Sequence, residues 1–127
     1  MRTFDKPAEI TLNHALVNAA GKTEFQKVPY DFEQFLGEYV WCYTKWSEDG
    51  WDEAQVRIGE LVEAAADGET VTLLDEDQTK LREAYLAYRT PSGGTISGPY
   101  APKLRKMGRA IKNAKVVEEK ATPPKTE

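Results

Sequence analysis

Apolar residues recur along this chain with distinct rhythms, and each rhythm predicts an element. After Asp31 the apolar positions are Phe32, Phe35, Leu36, Tyr39, Val40, Tyr43 and Trp46. Their steps of three and one follow one face of an α-helix. Asp31 stands where a carboxylate caps the first free N–H groups, so the spacing predicts a helix over 31–46. Ser47-Glu48-Asp49-Gly50 breaks it. Ala54, Ile58, Leu61, Val62 and Ala65 form a second stripe, predicting a helix over 52–66 that Gly68 closes. The short link between the two predicts an antiparallel helix pair.

Before and after this pair the rhythm changes. Ile10, Leu12 and Leu16 alternate with Thr11, Asn13 and Asn18, Gly21-Lys22 offers a turn, and Thr23 to Val28 returns. The abundance of Thr, Phe and Val favours a β-hairpin over the competing short helix from Asn13 to Gly21. Thr70-Val71-Thr72-Leu73 reads as a short strand, a candidate third partner for that hairpin. Asp75-Glu76-Asp77 opens a third helix carrying Leu81, Ala84, Tyr85 and Tyr88. Acids there favour the helix dipole, which is a simpler role for them than metal ligation. The stretch 90–100 holds two prolines and three glycines in eleven residues, so it predicts a flexible loop. A fourth helix over 101–115 follows, with Leu104, Met107, Ile111 and Ala114 as its seam and Pro102 in its first turn. The expectation is a mainly α fold with a small β element (α+β). It has three to four helices and an N-terminal hairpin in one domain over 1–115, then a disordered polar tail over 116–127.

Charge adds an asymmetry. The net charge is -4, yet residues 1–100 hold nine Lys/Arg against eighteen Asp/Glu, and residues 101–127 hold eight against three. Lys103, Arg105, Lys106, Arg109, Lys112 and Lys115 mostly avoid the seam of the fourth helix, with Arg105, Arg109 and Lys112 opposite it. Such a basic face suits phosphates, an acidic protein, or packing against the chain's own acidic body. Its seam has too few large apolar residues for membrane insertion.

Nine of the thirteen aromatics fall between Phe25 and Trp51. Most belong to the stripe of the first helix, where core packing is their expected role. Trp41 lies well off that stripe and Trp51 follows a turn glycine, and tryptophans off a core face are enriched at interfaces. Trp41 and Trp51 are therefore the candidate protein-binding residues, and Arg105, Arg109 and Lys112 the candidate nucleic-acid contacts.

Recognisable catalysis is missing from the pattern. Nucleophilic catalysis needs a base within reach of the nucleophile. The single histidine, His14, falls in the hairpin, where a half-buried polar role is expected, and the single cysteine, Cys42, is expected in the core. One His and one Cys are too few for ordinary zinc ligation. Asp75 and Asp77 imitate the start of a calcium loop, but Lys80 and Leu86 stand where its glycine and bidentate glutamate belong. Gly21-Lys22-Thr23 imitates the end of a phosphate loop, but Leu16 occupies the place of the first glycine. The glycines of 93–98 offer backbone N–H groups to an anion, set against their simpler role as a connection. No cofactor or metal is expected. Without an apolar run behind its N-terminal charges, or any of about 18 residues, the chain is expected in the cytoplasm.

Leu73-Leu74-Asp75-Glu76-Asp77 opening a helix, a Gly/Pro loop, and a final helix ending Gly108-Arg109-Ala110-Ile111-Lys112-Asn113-Ala114 form a recognisable layout over residues 70–115. It resembles small accessory proteins encoded by tailed bacteriophages. The resemblance implies a bacterial host cytoplasm as the setting and assigns no functional residue. Together these features rank a non-enzymatic binding role in assembly or host takeover first. Nucleic-acid contact through helix 101–115 comes second and an enzyme third.

Overall fold

The computed structural model describes residues 1–116 of the chain. Its fold is α+β. In chain order it runs β1 (Arg2–Asp5), β2 (Ile10–Val17), β3 (Thr23–Tyr30), α1 (Phe32–Tyr39), a 3₁₀ turn (Thr44–Ser47), α2 (Trp51–Ala64), β4 (Thr70–Leu73), α3 (Asp75–Ala87), α4 (Ala101–Lys112) and β5 (Lys115–Val116). The expected tail over 116–127 lies, apart from Val116, outside the described residues. Val116 itself is paired, opposite Arg2.

β2 and β3 form the expected hairpin, antiparallel from Ile10 opposite Tyr30 to Val17 opposite Thr23. Asn18 organises its turn: its side-chain oxygen accepts the N–H groups of Ala20 and Lys22, and its carbonyl accepts that of Gly21. Gly21 takes a φ of 79°, which a side chain would disfavour. β4 does not join this hairpin. It pairs with β1, and β1 pairs with β5, giving a separate antiparallel sheet in the order β4-β1-β5. The unpredicted partner is Arg2–Asp5, whose four residues contain one large apolar side chain, Phe4. Phe4 faces inward opposite Val71, and both are buried with Leu73.

The helix expected over 31–46 is broken. Asp31 caps it as expected, accepting the Gln34 N–H at 2.8 Å, while the Gln34 side chain accepts the Asp31 N–H at 2.9 Å. It ends at Tyr39, and the Trp46 indole N–H then donates to the Val40 carbonyl at 2.9 Å. That bond takes an acceptor the next helical turn would have used. Tyr43 and Trp46 thus belong to a fold-back that buries Trp46. The fold-back also displaces the expected antiparallel helix pair. α2 packs instead against the 3₁₀ turn, β4 and α3. α2 ends at Ala64, and Leu61 of its expected stripe is exposed.

The core gathers Phe32, Phe35 and Leu36 of α1, Ile58 and Val62 of α2, Leu81 and Ala84 of α3, and Met107 and Ile111 of α4. Aromatic edges connect it: Phe4 meets Phe32 at 5.9 Å, Phe35 meets Tyr85 at 5.9 Å, and Tyr39 meets Tyr88 at 5.0 Å. α4 ends at Lys112 rather than 115, where α3 closes it. Gln78 and Arg82 donate to the last carbonyls, of Ile111 at 2.6 Å and Lys112 at 3.3 Å. The loop 90–100 is held rather than free: Ile96 is buried, and Arg105 of α4 donates to the Ile96 carbonyl.

Two charged groups are buried by design of their partners. Lys6, 5 % exposed, donates to Glu33 at 2.8 Å and to the Val62 and Ala65 carbonyls at 2.9 and 2.8 Å. Asp77 accepts two bonds from the Arg57 guanidinium, at 2.9 and 2.8 Å.

Candidate functional site

Trp41 and Trp51, the expected interface residues, are both half-buried in one aromatic cluster. Trp46 is its centre, meeting Trp41 at 4.9 Å and Trp51 at 5.2 Å, both edge-on. Tyr43 adds a further edge on Trp51 at 5.7 Å. The ammonium groups of Lys45 and Lys80 lie 5.6 and 5.7 Å from the Trp51 ring. Glu83 of α3 fastens the cluster, accepting the Tyr43 hydroxyl at 2.8 Å and Lys45 at 3.1 Å. These bonds lower the Glu83 carboxyl below its ordinary value, the Tyr43 bond contributing most, and the same bond raises the Tyr43 phenol. The fold-back that breaks α1 is what brings the three tryptophans together.

Arg105, Arg109 and Lys112 come together as expected on the outer face of α4. Arg105 is engaged with the loop through Ile96, while Arg109 and Lys112 make no ion pair or side-chain hydrogen bond among the described residues. Arg89, outside the predicted set, caps α3 through the Leu86 and Tyr88 carbonyls and joins the same surface. Burial raises the Tyr85 phenol at its edge. The basic helix does lie against the body, packing on α3, α1 and β1, but without a direct ion pair among the described residues. None of their carboxylates lies within ion-pair distance of an α4 cation.

The hairpin carries an exposed apolar feature that the sequence reading did not single out. Its first rungs lean on the body: Tyr30 is buried and Ile10 and Leu12 are partly covered. Beyond them both strands are exposed, over a hairpin roughly 27 Å long. Paired residues share a face, so Ala15, Val17 and Phe25 lie together with Asn13, Thr23 and Lys27. Val17 is 74 % and Phe25 72 % exposed, and Leu16 on the other face is 44 % exposed. The signal was present in the alternation itself, which places apolar residues on both faces of the distal half.

The remaining chemical candidates fall apart. His14 is exposed on the hairpin rather than half-buried, because its rung lies beyond the part the body covers. Cys42 is exposed rather than in the core, because α1 has already ended before it. Asp77 is held by Arg57 while Asp75 is exposed and pairs with the N-terminal amine at 2.9 Å, so they do not form a calcium loop. Among the described residues no group of three His, Cys, Asp or Glu could hold a metal ion. Gly21-Lys22-Thr23 lies in the hairpin turn, and the N–H groups of Gly93 and Gly94 are bound to the Thr90 carbonyl and hydroxyl. Among the described residues no helix is long and apolar enough to cross a membrane.

No protein-family model, curated protein or solved structure matches this chain.

Proposed function

We propose that this chain is a non-enzymatic binding protein that docks the free half of its β2–β3 hairpin into a recess of another protein. One observation carries the reading: Phe25 and Val17, diagonal neighbours on one face, are both largely exposed on the part of the hairpin that the body does not cover. A lone two-stranded hairpin is at best marginally stable in water, and burying one face against a partner strengthens it. The face with Phe25 also carries Lys27 and no carboxylate. It therefore complements a recess that is apolar at its centre and acidic at its rim. A second copy presents the same cation-bearing face, so a different protein is the better fit. The setting is that of a phage-encoded accessory protein in the cytoplasm of its bacterial host, acting in assembly or host takeover.

Site-specific photo-crosslinking tests this. A crosslinking side chain replaces Phe25 in one variant and exposed Glu60 of α2 in another, in nuclease-treated bacterial lysate. One protein should crosslink from position 25 and not from position 60. Phe25→Ser with Val17→Ser should then weaken its capture by at least about tenfold, or 1.4 kcal/mol, while the melting temperature holds. Crosslinks only to a second copy, or capture that survives the double substitution, would refute the reading.

A further inference from the structure

Where α3 ends, the chain loops back through residues 88–100 and α4 runs alongside. Between them lies a cleft of about 340 Å³. Arg89, Arg105, Arg109 and Lys112 line it together with Tyr85 and Asn113, and among the described residues no carboxylate does. None of these residues belongs to the hairpin. Lys112 also lines an adjoining hollow of about 710 Å³, where Arg2 and Arg82 stand with the carboxylate of Glu83.

The sequence concentrates charge here. From Ala84 to Val117 there is no Asp or Glu, and the cations are Arg89, Lys103, Arg105, Lys106, Arg109, Lys112 and Lys115. Elsewhere Lys6, Lys45 and Arg57 each hold a carboxylate. Like charges gathered around one hollow repel one another, and an anion in the hollow relieves that repulsion. The four cations divide the work. Arg89 and Arg105 are bound to backbone carbonyls and fix the walls. Arg109 and Lys112, with no such bonds among the described residues, are left to take a ligand.

We infer that this cleft binds phosphate groups, supplied by the backbone of a single-stranded nucleic acid. Arg105, Arg109 and Lys112 stand at i, i+4 and i+7, so they span about 10 Å along α4. That length is on the order of two successive phosphates of one strand. A single strand is narrow enough to use this one face, whereas the acidic remainder of the surface repels a wide duplex.

Fluorescence anisotropy of a labelled oligothymidine with the full chain tests the assignment. Binding is expected at low salt, weakening linearly on a log–log salt plot. Arg109→Glu and Lys112→Glu should each lower affinity several-fold and make the slope shallower by about 0.7, the value of one lost phosphate contact. Lys22→Glu in the hairpin turn changes net charge equally and should leave both quantities in place. Circular dichroism checks that each variant is folded. Absence of binding at low salt, or an equal loss with Lys22→Glu, overturns the site. Equal competition by poly-glutamate, or tighter binding of duplex, overturns the single strand as ligand. Displacement by millimolar inorganic phosphate keeps the phosphate chemistry and overturns the strand as its source. The crosslinking from position 25 is independent of all these outcomes.

Discussion

Lys6 holds its ammonium group among three oxygens, two of them the Val62 and Ala65 carbonyls at the end of α2. The last carbonyls of a helix lack their regular partners one turn on and carry the negative end of its dipole, although the Val62 carbonyl also accepts the Ala65 N–H at 3.2 Å. A lysine delivered from the end of β1 supplies both the donors and the charge. Lys6→Met keeps most of the stem and removes all three bonds, leaving the carbonyls under cover. The expected cost is about 2–4 kcal/mol of stability, read by chemical denaturation; a loss below about 1 kcal/mol would mean that water replaces the ammonium group. Nothing near Lys6 in the sequence announces this role, because the acceptors come from residues 33, 62 and 65 and a lone lysine ordinarily reads as exposed. Cys42 and His14 mislead in the opposite direction. Their residue types suggest cover, but each sits just past the end of the element or contact that would provide it.

At the scale of elements, local pattern was legible wherever one stripe met one partner. The hairpin, the Asp31 cap, the strand at 70–73 and the starts of α2, α3 and α4 follow from alternation, helical spacing and turn residues. The break in α1 does not, since Tyr43 and Trp46 continue the helical period and no Gly or Pro marks the end. The decision is tertiary: the Trp46 indole reaches Val40 and buries its ring only if the helix stops. Gly108 is a similar case within α4. A glycine inside a helix lowers helix propensity by about 1 kcal/mol relative to alanine, so the sequence alone invites replacement. In the structure a Cβ there would lie 2.1 Å from the Tyr85 ring, itself packed against Phe35. Gly108→Ala is therefore expected to destabilise by about 1–3 kcal/mol despite the propensity gain. Pairing it with Tyr85→Leu should recover part of that loss, because the two sites share one gap. A stabilised Gly108→Ala protein would show that α3 and α4 separate freely.

Across the whole molecule, charge is partitioned rather than mixed. The acidic part of the chain ties down its buried and bridging cations, and the α4 surface leaves its own exposed. The charge count in the sequence showed the split, but not that the exposed hairpin and the α3–α4 cleft are built from separate residues, which depends on how distant segments meet. The candidate tryptophans illustrate the same limit: their excess was visible, their mutual contact through Trp46 was not. Glu83 joins the aromatic cluster after α1 to α3, and so links segments forty residues apart. Its carboxyl titrates below its ordinary value of 4.5 because the Tyr43 hydroxyl, then Lys45, bond its charged form. A carboxyl depressed on folding contributes stability that is fully present above its unfolded value and is lost as pH falls through the folded one. Glu83→Gln should therefore lower the melting temperature at neutral pH. The gap from the unsubstituted chain should hold down to about pH 4.5 and narrow below it, as protonation makes the native side chain neutral too. Because Glu83 is partly exposed and Lys45 more so, added salt should shrink the same gap at neutral pH, leaving the Tyr43 bond as the part that persists. A gap independent of both pH and salt would mean that Glu83 acts by packing alone and that its bonds to Tyr43 and Lys45 do not hold the two segments together.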